Sequence, residues 1–186
     1  MIIWLASYPK SGNTWVRLFL NSLLYFNNKE LNINDIKIKQ FPNKNHFNNL
    51  VVNMGNINEL VKNTVAAQSL LNLDNNIKLL KTHSAFWKTE SYSFTNDENT
   101  LGVIYIVRDP RNVITSISHH YSLKTDEAYN FIVNEKKIIS KSEWGGEDFG
   151  IATVLGSWSQ HYKSWKNIKF APILIVKYED LIADTK

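Results

Sequence analysis

The segment Ser7-Tyr8-Pro9-Lys10-Ser11-Gly12-Asn13-Thr14-Trp15 sets a lysine, hydroxyls and successive backbone N–H groups between an apolar run and a stretch of helical periodicity. A turn of this kind at a helix N-terminus cradles an anion, because the N–H groups point at the ligand and the helix dipole favours negative charge. It is not a Walker A loop, which needs two glycines and a lysine just after the second, whereas Lys10 precedes Gly12 here. Arg108 follows the apolar run Leu101 to Val107 as a charged fork suited to phosphate, and Ser116 lies on the next helical stretch, within reach of the same group. Lys81 and His83 close another apolar run. Each residue taken singly has a plain structural alternative: a capped turn for the loop, a surface ion pair for Arg108, a bond to its own helix for Ser116, packing for the histidine.

The elements around these residues alternate in type. Ile2 to Ala6 reads as a buried strand. From Thr14 to about Phe26, Trp15, Leu18, Phe19, Leu23 and Phe26 recur at helical spacing with no Gly or Pro. Asn27 to Asn56, rich in Asn and Lys, reads as loop with short helical turns. Ile57, Leu60, Val61, Thr64 and Val65 share a helical face, and after a turn at Asn72 to Asn76 a strand runs from Ile77 to Lys81. Beyond the Leu101 to Val107 strand, Asp109-Pro110 gives an N-cap with Pro at the first helical position, and Val113, Ile114 and Ile117 supply that helix's buried stripe. A helix is expected from Asp126 to Ile139, a break at Gly145-Gly146, a helical stripe through Ile151, Val154, Leu155, Trp158, Tyr162 and Trp165, and a last strand from Ile173 to Val176.

Strands alternating with helices predict an α/β fold with a mostly parallel sheet and helices on both faces, since parallel neighbours need crossover connections. Ligands of such sheets gather beyond the carboxyl ends of the strands, where Lys10, Lys81, His83 and Arg108 should all emerge.

Composition adds bounds. The 186 residues, 44% hydrophobic, suit one domain spanning 1–186. A net charge of +4 suits an anionic ligand and is too mild to imply nucleic acid. Cysteine is absent, which excludes a disulfide frame, a thiolate zinc site and a cysteine nucleophile. The N-terminus has no signal-peptide pattern and no apolar run approaches bilayer length, so a soluble, cytoplasmic protein is expected.

YPKSGNTW resembles the 5'-phosphosulfate loop of sulfotransferases that use 3'-phosphoadenosine 5'-phosphosulfate (PAPS), usually written YPKSGTTW, with Asn13 in place of the common threonine. The resemblance implies that Lys10 contacts the phosphosulfate and its bridging oxygen, that Ser11, Gly12, Asn13 and Thr14 supply backbone and hydroxyl donors, and that Trp15 sits near the adenine, against the plain alternative of a core tryptophan. Tyr105 to Ser116 looks like the family's 3'-phosphate segment, aligning Arg108 and Ser116 with its phosphate ligands. Leu79-Leu80-Lys81-Thr82-His83 is similar to its K-T-H strand end, which implies His83 as the catalytic base. A neutral imidazole could take the acceptor's proton as a hydroxyl attacks sulfur, while Lys10 and Lys81 stabilise charge on the sulfonate and the departing phosphate. The scheme requires no metal. Lys177-Tyr178-Glu179-Asp180-Leu181 and the helix carrying Trp158, His161 and Trp165 also look like family segments, making Tyr178 a nucleotide-site residue with aromatic packing as its alternative.

Activity is thus expected as sulfonate transfer from PAPS, releasing adenosine 3',5'-bisphosphate (PAP), to a small-molecule or carbohydrate acceptor; carbohydrate, phenol or alcohol, and amine all stay open. Family members continue to an R-K-G-x-x-G-like loop that is absent from this sequence, so the domain is expected to lack its C-terminal part. A noncatalytic or inactive truncated protein of the same fold is the alternative from another class. A nucleotide kinase is the enzymatic rival, since Val103 to Val107 followed by Asp109 superficially resembles a Walker B strand. Adjacent His119 and His120 diverge on a helix and are expected to face solvent or pack, and His46 and His161 carry no expected role.

Overall fold

The computed structural model describes residues 1–25, 36–139 and 151–184. Among the described residues the central sheet has five strands: β1 (Ile2–Ser7), β2 (Lys39–Gln40), β3 (Lys78–Thr82), β4 (Thr100–Val107) and β7 (Ile173–Lys177). Their order is β2-β3-β1-β4-β7, and every neighbouring pair is parallel. The chain leaves β1 for one edge, returns to β3 at its side, then crosses to β4 on the other side. The carboxyl end of β1 is therefore a topological switch point, where open α/β sheets form their crevice.

Period-two alternation divides β1 between two cores. Ile2, Trp4 and Ala6 pack with Leu60 and Ala67 of α2 (Ile57–Leu71) and Trp165 of α5 (Trp158–Lys166). Leu5 packs on the other face with Val16 of α1 (Asn13–Tyr25) and, farther out, Leu181 of α6 (Tyr178–Ala183). Helices thus cover both faces, as expected. Trp4 is fully buried against Phe41 and Phe94, and its indole N–H donates to Thr100 Oγ1 at 3.0 Å. Truncating such a side chain to alanine costs about 3–5 kcal/mol.

A third cluster joins Tyr8, Val113 and Ile117 of α3 (Pro110–Tyr121) to Ala128, Phe131 and Ile132 of α4 (Thr125–Val133). α3 starts as predicted, with Asp109 accepting from the Arg111 N–H at 2.9 Å and Pro110 in the first turn.

Two sequence expectations need correction. The helix expected over 126–139 ends at Val133, because Asn134 turns extended and Ile138–Ile139 form a short strand, β5, antiparallel to β6 (Thr153–Val154). The stripe beginning at Ile151 is not helical at its start. Gly156 takes a left-handed φ of +67°, and Ser157 and Gln160 form a capping box, so α5 begins only at Trp158. In α1 the apolar residues that revealed the helix face outward: Trp15 is 42%, Phe19 54% and Leu23 62% exposed, while Val16 is buried. Phe26 and Gly145-Gly146 lie outside the described residues.

Candidate functional site at the carboxyl end of the sheet

Strand register brings the expected site together. Ala6 pairs with Thr82, Ser7 with Ile106, and Val107 with Lys177. The residues that follow these strand ends, the Lys10 loop, His83, Arg108 and Tyr178, therefore leave the sheet side by side. They line a cleft of about 500 Å³ together with Gly12, Asn13, Thr14, Trp15, Lys81 and Ser116.

The loop is held by its own geometry. Lys10 has a left-handed φ of +65° and Gly12 one of +92°. A Cβ on Gly12 would overlap the ring of Tyr178, so glycine is required both for the backbone and for that close approach. The Gly12 carbonyl then accepts from the Val16 N–H at 3.2 Å, opening α1. Arg108 ties the opposite wall to the loop: one guanidinium nitrogen donates to the Lys10 carbonyl at 2.9 Å, and the group lies 4.7 Å from the centre of the Tyr178 ring. Its Nε is buried with no hydrogen-bond partner among the described residues, an orphaned donor beside the cleft. Burial, then the positive charge of Arg108, lowers the Lys10 pKa.

The loop side chains divide. Thr14 and Trp15 are exposed at the cleft, so Trp15 is not a core residue; its ring stacks parallel on Phe19 at 6.0 Å. Ser11 is fully buried and does not line the cleft. The Asn13 amide turns inward, donating to the Leu5 carbonyl and to Ser7 Oγ, each at 3.1 Å. It offers no hydroxyl where threonine would.

His83 is 8% exposed and Lys81 2%. The His83 Nδ1 lies 2.8 Å from the Ser7 carbonyl and 3.2 Å from Ser7 Oγ. A carbonyl only accepts, so Nδ1 carries the proton and Nε2 the lone pair. Burial, followed by the charge of Lys81, holds the imidazole well below its ordinary pKa, and the bond to the Ser7 carbonyl opposes this in part. The ring is neutral at neutral pH.

Two histidines without an expected role belong here. His120 lines the cleft one turn beyond Ser116, an i, i+4 relation readable on α3, and burial and Lys10 lower its pKa. His161 is fully buried behind His83. His119 is exposed, and His46 stacks on Phe41. Asp109 is occupied by Arg111, which donates to both of its oxygens, and its pKa is held down to about 2 first by that side-chain bond. Among the described residues no group of three or more His, Cys, Asp or Glu could hold a metal ion, and no helix is long and apolar enough to cross a membrane.

The chain is 26% identical over 193 residues to Sulfotransferase 1 family member D1 of Mus musculus, covering 99% of this chain and 55% of the relative. It is 28% identical over 193 residues to Sulfotransferase 1B1 of Canis lupus familiaris, covering 98% and 54%, and 26% identical over 194 residues to luciferin sulfotransferase of Photinus pyralis, covering 96% and 46%. The chain spans about half the length of the curated relatives it matches. In fold it is similar to the crystal structure of mouse sulfotransferase SULT7A1 complexed with PAP, at a TM-score of 0.53 and 21% identity, covering 99% of this chain and 52% of the other. It is likewise similar to retinol dehydratase in complex with androsterone and inactive cofactor PAP, at 0.55 and 18%, covering 99% and 56%. Residues 2–186 match the family described as the sulfotransferase domain, and the chain belongs to that family.

Proposed function

We propose that this chain carries the donor-nucleotide site and the catalytic base of a PAPS-dependent sulfotransferase. The observation that carries this reading is the convergence of Lys10, Lys81, Arg108 and His83 from separate strand ends on one cleft. Three cations and a neutral base suit a polyanionic donor and a protic acceptor. The orphaned Arg108 Nε and the exposed Trp15 beside the cleft fit a phosphate and an adenine ring.

PAPS, when bound, supplies a sulfonate on a good leaving group. Lys10 and the backbone N–H groups of Ser11 to Thr14 bind the 5'-phosphosulfate end, with Gly12 letting the chain approach. Arg108 and Ser116 bind the 3'-phosphate, and Tyr178 and Trp15 frame the nucleotide. The acceptor oxygen or nitrogen bonds to sulfur as the bond from sulfur to the bridging oxygen breaks, and the bridging oxygen leaves with the electron pair on the phosphate. His83 Nε2 takes the acceptor's proton. Lys10 and Lys81 stabilise the charge that develops. A small-molecule or carbohydrate acceptor and a cytoplasmic setting complete the proposal.

Incubation with radiolabelled PAPS and an acceptor panel of phenols, alcohols, amines and sugars tests it. Label transferred by the wild-type chain and not by His83→Ala supports the reading. Binding of PAP without transfer to any acceptor would instead favour a module that keeps the fold without turnover.

A further inference from the structure

The residues after β3 form no regular element, so their backbone polar groups need partners from elsewhere. One face of α5 supplies them. His161 Nε2 lies 3.0 Å from the His83 carbonyl, the Trp165 indole N–H donates to the Ser84 carbonyl at 2.9 Å, and the Phe86 N–H donates to Ser164 Oγ at 3.0 Å. Beside them the Ala85 N–H donates to the Val154 carbonyl at 2.9 Å. The segment that carries His83 is thus laid along α5 by side chains spaced i, i+3 and i+4.

His161 occupies the decisive place in this ladder. The His83 carbonyl only accepts, so His161 Nε2 bears the proton, and its Nδ1 accepts from the Tyr105 hydroxyl at 2.8 Å. A continuous chain runs from Tyr105 O–H to His161 Nδ1, and from His161 Nε2–H to the carbonyl of His83. On the other side, His83 Nδ1 donates to Ser7. His83 is therefore held by its main chain from α5 and by its ring from β1.

We infer that His161 is a positioning residue for His83, fixing the backbone of the base from the buried side so that the Nδ1 bond to Ser7 forms and Nε2 is left as the acceptor. This rests on the reading of His83 as the base. His161 is fully buried, and its pKa, lowered to about 4 by burial, keeps it neutral with a single tautomer. The groups facing His83 include Lys81 from β3, Arg17 from α1, Ser7 from β1 and His161 from α5. Truncation of His161 moves the base without touching a ligand.

Nuclear magnetic resonance of ring nitrogens in histidine-labelled protein, with and without PAP, tests this in wild type, His161→Phe, His161→Gln and Tyr105→Phe. Wild type should show His83 protonated at Nδ1 and His161 at Nε2. In His161→Phe the His83 signal should become a mixture of tautomers, and kcat should fall about ten- to a hundredfold with the KM for PAPS unchanged. His161→Gln, which can still donate to the His83 carbonyl, should recover most of both. If His161→Phe does not fold, Tyr105→Phe decides, since it should shift the His161 ring signal and lower kcat in the same direction. An unchanged His83 tautomer and unchanged kcat in a folded His161→Phe or Tyr105→Phe would overturn the inference. A wild-type chain that transfers no sulfonate, yet shows the tautomer change in His161→Phe, would contradict the sulfotransferase reading while supporting the positional relation.

Discussion

His83 Nδ1 donates to the main-chain carbonyl of Ser7 at 2.8 Å, joining the ends of β3 and β1 at the switch point of the sheet. One bond thereby sets the tautomer of His83 and ties it to the strand that leads into the Lys10 loop. His83→Ala should remove the proton acceptor and spare the cations, lowering kcat at least about a hundredfold while PAP affinity stays close to wild type. Steady-state kinetics and calorimetry together check this, and near-normal turnover in the variant would remove His83 from the mechanism.

The same burial predicts a pH response. His83 and His161 both have folded pKa values below the unfolded value near 6.5, so the unfolded chain binds more protons as pH falls. Their contribution to stability is fully present above about pH 6.5 and is lost on acidification, for His161 down to about 4, with a slope of up to about 1.4 kcal/mol per pH unit for each group. Urea unfolding from pH 7.5 to 4.5 should show this decline, and turnover should persist through pH 6 with its acidic limb below the ordinary histidine range. Stability that is flat or rising on acidification would contradict the buried neutral pair.

Gly12→Ala places a side chain in the Tyr178 ring and on a backbone of positive φ, and should cost about 1–3 kcal/mol as well as weakening PAP binding. Gly12→Ala with Tyr178→Ala should relieve the steric part and leave the backbone strain, so the two changes should be non-additive in a double-mutant cycle. Simple additivity would mean that the ring does not limit the loop.

Arg108→Lys keeps the charge but loses the fork that reaches the Lys10 carbonyl and lies over Tyr178. PAP affinity should fall about tenfold or more, since lysine does not replace arginine at a stacked, multidentate site. Calorimetry at matched ionic strength would show it; wild-type affinity would reduce Arg108 to a long-range charge.

Much of the site was legible because its residues follow apolar runs: Lys10, His83, Arg108 and Tyr178 sit where strand ends must be, and parallel register aligns them. The local signal at Asp109-Pro110 was equally direct, and the carboxylate that superficially suited Walker B proves to cap α3 and hold Arg111.

What stayed hidden depends on tertiary partners. Periodicity located α1 but could not say that Trp15, Phe19 and Leu23 face outward, since a hydrophobic stripe marks a helix and not what covers it. The run through Ile151 and Leu155 mimicked a helix because its spacing matched by coincidence; Gly156 and the Ser157–Gln160 box, both visible in the sequence, mark the true start. His161 carries no motif of its own. Its role exists only because Tyr105 and the His83 carbonyl lie 56 and 78 residues away in the chain and adjacent in the fold. Asn13, aligned with a hydroxyl donor, spends its amide on Leu5 and Ser7 instead.

Calorimetric titration with PAP, beside ATP with magnesium and beside Lys10→Ala, measures whether the cleft is a donor-nucleotide site. Wild type should prefer PAP over ATP, and Lys10→Ala should lose this binding. Preference for ATP, or PAP binding indifferent to Lys10, would contradict that assignment.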